Sequence, residues 1–459
     1  MTDMQKIRQE SIAAMEKDMV TMLQSWLRIP SEKAAAEPGA PFGPALRQVL
    51  DKMLADAASL GFKTRCVDGY AGDIEMGEGE ETFGILCHAD IVPAGDGWDR
   101  DPFGAQLDGG RVYGRGASDN KGPAAAALFA MKAVKDAGIQ LNKKVRLIIG
   151  CDEESGMECM AYYKRHADLP RTGFSPDAAF PLINTEKGLL QLDLRAPASQ
   201  DGRKVLSLHV GERRNVIPGI AQALVEGGQE VIACVQAVAR ATGFDLTAWE
   251  EAGAVRVKAV GAAGHAAFPQ GAKNAIGRLL ICLKALGVTG PLEALADKVG
   301  TGYDGKALGC DVQDGLSGAL TLNLGILRAD DTGIFATFDI RYPVMASHTA
   351  IQSAIRLALP LFDVTESSHK APHHVPESSE LVQSLLRAYS EETGRPGGVM
   401  AIGGGTYARC LEQGVAFGAS FPEDEEVAHQ ANEYADIRGL MTNVRIFANA
   451  IIRLAGEGS

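Results

Sequence analysis

No stretch of the 459-residue chain reaches the roughly 18 consecutive apolar residues that would span a bilayer. Runs such as AAAALFAM are short and bounded by Lys, Gly and Pro, so no membrane is expected as a partner. The opening residues, MTDMQKIRQESIAAMEKDMV, mix acids, bases and apolar residues and contain neither an apolar core nor a small-residue cleavage site, which gives the expectation of a cytoplasmic protein. Basic residues are the minority: 45 Lys and Arg stand against 58 Asp and Glu, and a net charge of -13 repels a phosphate backbone. Nucleic acid is therefore not an expected partner. None of the eight cysteines forms a CxxC pair, and most lie inside apolar runs, as buried thiols in a reducing compartment do. A fixed-period repeat and a GxxxxGK[ST] loop are also missing, which excludes a solenoid and a P-loop nucleotide site.

What is present is a long chain with a large core. With 46% hydrophobic and 22% charged residues, and about 100 to 200 residues per domain, two or three globular units are expected. Fifty-three glycines exceed the roughly 7% of average usage and point to many tight turns. Helical periodicity runs through IRQESIAAMEKDMVTMLQSWLRI and GPALRQVLDKMLADAASLG. The near-continuous apolar runs TFGILCHADIV and KVRLIIGCDEES then read as strands covered on both faces. Between them PAAAALFAMKAVKDAG reads as a helix beginning at Pro123 and stopping at Gly138. From about Glu186 the pattern changes to alternation, as in GLLQLDLRA, ALTLNLGIL and FATFDIRYP. That texture predicts an α+β domain on antiparallel sheet. The stretch HKAPHHVPESS reads as a linker, after which the earlier style returns. The expected class is α/β: residues 1–185 and 375–459 form one domain with a mixed, mostly parallel sheet covered by helices. It is interrupted by an inserted α+β domain, 186–374, built on antiparallel sheet.

Several acidic and imidazole side chains stand where apolar strands end. His88 and Asp90 close TFGILCHAD, and i, i+2 spacing on an extended backbone turns both the same way, so a carboxylate is placed to orient a metal-binding imidazole. Asp119 is delivered by the Gly-rich segment GRVYGRGASDNKGP just before a helix, where anion binding by backbone amides is the competing reading. Asp152, Glu153 and Glu154 follow the second apolar strand. Asp177 in FSPDAAF and His429 in EEVAHQANE complete a set of two imidazoles and three carboxylates with His88, Asp119 and Glu154. Such a mixture suits zinc, manganese or cobalt. A bridging carboxylate within it would hold two ions about 3.5 to 4 Å apart, leaving Glu153 as a free acid able to move a proton.

The order HAD, WDRDPF, GRVYGRGASDNKG, DEESG, a solitary PD and a late His resembles the M20 family of co-catalytic metallopeptidases, above all its PepV-type dipeptidase branch, over about residues 80 to 440. The resemblance implies that His88 and Asp177 bind one metal, Glu154 and His429 the other, and that Asp119 bridges them through a residue whose following peptide bond is cis. It makes Asp90 the acid that orients His88 and Glu153 the general base and acid. In the inserted lid domain, His265 of GHAAFP would stabilise the oxyanion. Asn215 of RNVIPG, Arg341 of DIRYP and the Gly-rich loop AIGGGTYAR, with Gly404, Gly405 and Thr406, would hold the substrate's C-terminal carboxylate.

The implied activity is hydrolysis of dipeptides or short peptides with two divalent ions, zinc favoured over manganese or cobalt. An N-acyl amino acid deacylase and a non-catalytic peptide-binding member are the alternatives, and an intact Glu153 argues against the second of these. A lid of roughly 190 residues, near the size of two small subdomains, implies a monomer that supplies His265 to its own site. His373 and His374 match no catalytic position and read as linker residues. Cys87 and Cys151 read as buried strand residues, and Glu423 to Glu426 as a solvated loop.

Overall fold

The structure is a computed structural model that describes residues 12–198 and 201–456. The first five residues of the opening helical pattern, from Ile7, lie outside them. The chain divides into two compact units, one made of Met1–Asn184, Val375–Met400 and Gly405–Ser459, the other of Thr185–His374 and Ala401–Gly404.

In the first unit the covered apolar runs become the centre of a sheet. Thr82–His88 and Lys144–Gly150 are buried along nearly their whole length and pair in parallel. Thr172–Ser175 joins the other edge of Thr82–His88 in parallel, and Gln413–Ala416 follows it in the same sense. Antiparallel strands finish both sides. Ala71–Met76 and Lys63–Val67 lie beyond Lys144–Gly150, and Ile183 pairs with Ala416 at the other end. The sheet is thus parallel in its four middle strands and antiparallel at its edges.

Helix Gly122–Asp136 is buried nearly all round because its first half is mostly alanine, which lets its neighbours approach closely. It packs against Ile12–Leu27 and Ile437–Ala455, each of which turns one apolar stripe inward. Gly173 shows how tightly the middle strands meet, since a Cβ there would sit 2.1 Å from the carbonyl oxygen of Gly84. Beside it the fully buried Phe174 ring lies 5.3 to 6.0 Å from those of Phe83, Phe417 and Phe447.

The second unit carries one eight-stranded sheet, antiparallel throughout, in the order 245–251, 254–260, 220–225, 205–210, 321–329, 334–342, 188–196, 363–370. Gly188–Ala196 alternates buried and half-exposed side chains, as its sequence pattern predicts. The size of the insert suggested two small subdomains. Instead its strands form one sheet, because Thr321–Ala329 and Ile334–Tyr342 pair along their whole length and leave no free edge between the halves. His373 and His374 are not irregular linker: they pair antiparallel with Glu186 and Thr185. Among the described residues, no helix is long and apolar enough to cross a membrane.

Phe174→Ala removes a ring from the centre of the first unit's core and should destabilise that unit by about 3 to 5 kcal/mol, measured by chemical denaturation followed by circular dichroism. A loss under about 1 kcal/mol would mean that the aromatic cluster collapses to fill the gap.

Candidate metal centre

Parallel strands deliver the residues that follow them to one edge of the sheet, where open α/β folds place their sites. His88 ends one such strand, Asp152 to Glu154 follow the next, and Asp177 follows the third. Asp119 sits in the tight turn Ala117–Lys121, extended (φ -131°, ψ 94°) in an otherwise helical segment. The peptide bond after it is cis. His429 arrives from the loop between Gln413–Ala416 and the last helix.

These side chains converge. His88 Nε2 lies 2.9 Å from Asp119 Oδ1 and 3.6 Å from Asp177 Oδ1. His429 Nε2 lies 3.0 Å from Asp119 Oδ2 and 3.1 Å from Glu154 Oε1. Each oxygen of Asp119 therefore faces a different imidazole. Two overlapping trios, His88 with Glu153 and Asp177 and His88 with Asp119 and Glu154, offer ligand atoms within 4.8 Å of one another.

Residues that carry no obvious motif hold the set in place. Buried Asn120 donates through Nδ2 to Asp177 Oδ1 (2.9 Å) and to the Pro176 carbonyl (2.8 Å). Buried Asp152 accepts from Lys33 Nζ (2.7 Å), from Ser155 and from the Glu158 amide (2.9 Å), and so closes the turn that presents Glu153 and Glu154. The only sequence signal for these two was a polar residue beside a recognised ligand. Asp90 lies next to His88, but it is the main-chain carbonyl of Asp90 that accepts the hydrogen bond from Nδ1 (2.9 Å). Its carboxylate stands 3.5 Å away, because Oδ2 accepts the Glu154 amide (3.0 Å) while Oδ1 is buried without a partner.

The electrostatics follow from crowding like charges. Burial first, then the Asp177 carboxylate, pushes Glu153 well above the usual range. Burial also raises Asp177 and Glu154. Burial would raise Asp119 too, yet hydrogen bonds to His429 and His88 outweigh it and hold the group well below the ordinary value. Burial opposes charge on His88, but Asp177 and Asp119 carry its pKa well upward. Hydrogen bonds to Asp119 and then to Glu154 raise His429 to about 10. Both imidazoles are thus biased toward the charged form by the carboxylates around them. Neutral imidazole and carboxylate are the donors that a borderline divalent ion prefers, so the residues fit a metal.

In the second unit His265 is exposed, on a two-residue strand paired with Val216–Ile217, and its Nε2 lies 3.5 Å from Asn215 Nδ2. Arg341 is buried and already engaged: Nε donates to Asp339 Oδ1 (2.7 Å), Nη2 to Oδ2 (3.3 Å) and Nη1 to the Gly403 carbonyl (2.8 Å). Gly404 belongs to this unit, whereas Gly405 and Thr406 belong to the first, where the Thr406 hydroxyl accepts the Ala408 amide (3.1 Å). Glu423 to Glu426 are exposed, and Glu423 pairs with Arg395.

The sequence profile of peptidase family M20/M25/M40 matches residues 84–453. The chain belongs to that family. M20 peptidases are metal-dependent, and among the described residues the cluster around Asp119 could hold a metal. Its relatives include "Putative dipeptidase YtjP" of Bacillus subtilis, 39% identical over 455 residues, with 96% of this chain and 98% of that protein covered. Another is "Putative dipeptidase SH1171" of Staphylococcus haemolyticus, 34% identical, with 98% and 99% covered. Among solved structures, human carnosine dipeptidase 1 superposes with a TM-score of 0.62 at 15% identity, covering 99% of each chain. The di-peptidase Dug1p of Saccharomyces cerevisiae does so at 0.59 and 14%, also covering 99% of each. At those identities the likeness concerns the M20 fold, a catalytic and a lid domain.

A histidine raised from 6.5 to about 10 contributes stability fully below pH 6.5 and loses it as pH rises toward 10. The melting temperature of chelator-stripped protein should therefore carry a downward component across that window, and His429→Ala should remove it. Because a metal must displace the imidazole protons, affinity should rise with pH and binding should release protons. Calorimetry in two buffers of different ionisation enthalpy measures this, and binding without proton release would contradict the ligand assignment.

Proposed function

We propose that the protein is a metal-dependent dipeptidase that hydrolyses the peptide bond of dipeptides or short peptides at a carboxylate-bridged two-metal centre in the first unit. The observation that carries this reading is Asp119, whose two oxygens face two imidazoles at 2.9 and 3.0 Å. His88 and Asp177 would hold one ion, Glu154 and His429 the other, with Asp119 shared. Two divalent ions, zinc favoured over manganese or cobalt, would supply Lewis acidity toward a water and the scissile carbonyl oxygen.

The protein's own groups do the rest. Glu153 accepts the proton of the attacking water and returns it to the leaving amine, a task suited to a carboxyl whose pKa stands above the ordinary range. Asp90 fixes the tautomer of His88 through the hydrogen bond at Nδ1. His265 donates to the developing oxyanion. Asn215, Arg341, Gly404, Gly405 and Thr406 receive the substrate's C-terminal carboxylate. Arg341 does so with a guanidinium already oriented by Asp339. The second unit acts as the lid of a monomeric cytoplasmic enzyme. The names of the relatives, dipeptidases among them, support this reading over the deacylase alternative.

Release of free amino acids from a dipeptide panel, with N-acetylated amino acids in parallel, should depend on metal and return when zinc, manganese or cobalt is added after chelation. Activity that survives complete chelation rules out the metal, and turnover of acetylated compounds alone moves the protein to deacylation. Glu153→Ala should keep its metals and lose about 10²- to 10⁴-fold in kcat, whereas Asp119→Ala should lose metal. A mixture of His265→Ala and Glu153→Ala proteins should stay inactive. Recovered activity would mean a site shared between subunits.

A further inference from the structure

Glu433 lies four residues beyond His429 and is fully buried, yet it belongs to none of the ligand trios. Its carboxylate is directed at the backbone of the loop that carries Asp119. Oε1 accepts the amides of Ser118 (2.8 Å) and Asp119 (3.1 Å), and Oε2 accepts the amide of Gly116 (3.1 Å) and Nη1 of Arg115 (2.6 Å). Its main-chain carbonyl accepts the Gly114 amide (2.9 Å). Arg115, buried as well, extends the contact by donating from Nη2 to the carbonyl of Ala94 (3.0 Å).

Both loops need such an external hold. His429 (φ 63°) and Asn432 (φ 62°) adopt the left-handed conformation, which costs a non-glycine residue about 1 to 2 kcal/mol and persists only when surrounding contacts over-determine it. Asn432 is fixed from outside, since its Oδ1 accepts the Asp99 amide (2.9 Å) and its Nδ2 donates to the Asp99 carboxylate (3.0 Å). Glu433 is the other fixed point. On the opposite side, Asp119 interrupts its helical turn, and its own amide is one of the four donors. A buried ion pair is weak evidence for stability as such. Its value here lies in which two loops it joins: one delivers the carboxylate facing both imidazoles, the other delivers one of those imidazoles.

We propose that Glu433 is a positioning residue that sets the distance between Asp119 and His429 and thereby the metal affinity of the site. The proposal rests on the metal reading above. It assigns Glu433 no contact with substrate. Replacement should therefore weaken metal binding and alter the geometry around the metal, with little effect on the affinity for peptide.

The test uses cobalt(II) alone as probe, added to chelator-stripped wild type, Glu433→Gln and Glu433→Asp, each first shown by circular dichroism and gel filtration to be folded. Gln keeps the size but brings its amide donors against the Gly116 amide and the Arg115 guanidinium. Asp keeps the charge but is one methylene too short to reach all four donors. Both should bind cobalt about 10- to 100-fold more weakly, show a visible absorption spectrum shifted from that of wild type, and lose kcat with KM nearly unchanged. If the Gln variant fails to fold, the Asp variant, with the buried pair still charge-balanced, decides. A folded variant with cobalt affinity within a factor of about two of wild type and a superimposable spectrum overturns the proposal. Wild type that binds no cobalt removes the metal reading instead, and the two failures are told apart by the wild-type titration alone.

Discussion

The first unit is organised around one electrostatic constraint: the carboxylates of Asp119, Glu153, Glu154 and Asp177 are crowded into a largely buried space beside the two imidazoles of His88 and His429. Asp119 shows the constraint most clearly. Its environment favours charge only because an imidazole stands at each oxygen, and Glu153, lacking such a partner, is pushed toward the neutral form. Positive charge beside Asp119, which its two hydrogen-bonded imidazoles supply, offsets part of this crowding.

Magnitudes explain why so much scaffolding surrounds so few groups. Two like charges about 3 Å apart at an effective dielectric of about 20 repel by roughly 5 kcal/mol, more than any single loop contact returns. A hydrogen bond to a charged group contributes about 1.5 to 3 kcal/mol, so two or more are needed per acidic side chain. The structure spreads them over the site and its surroundings: Asn120 donates to Asp177, the Glu154 amide to the Asp90 carboxylate, and three donors meet Asp152. These anchors end on the sheet and the alanine-rich helix behind it, whose close packing leaves little room to yield.

The strands that present the site were legible because burial on both faces writes itself as continuous apolar runs, and the insert because half-burial writes itself as alternation. His88, Asp119, Glu154, Asp177 and His429, brought together in space, were legible because acids at the ends of apolar strands stand out against their neighbours. Two things were not. The extent of the second unit's sheet depends on which strands pair, and alternation does not specify a partner, so an insert large enough for two subdomains forms one sheet. Asn120 and Glu433 were passed over, and Asp152 was noted only as one of three acids in a row, because their significance lies in a tertiary partner. Nothing local in HQANEYAD says that its glutamate faces the backbone of GRGASD. The role of Asp90 was half visible, since spacing places the residue beside His88 but does not say that its carbonyl, rather than its carboxylate, meets the ring.

Arg115 and Glu433 are 318 positions apart in the chain. A ribosome therefore releases the first three parallel strands, the Gly-rich loop and most of the acidic cluster long before the segment that closes them exists. Until then the acidic groups have neither His429 nor the second loop to hold them in register. The loop that carries Asp119 therefore depends, for the four hydrogen bonds that Glu433 accepts, on a segment that is made near the end of synthesis.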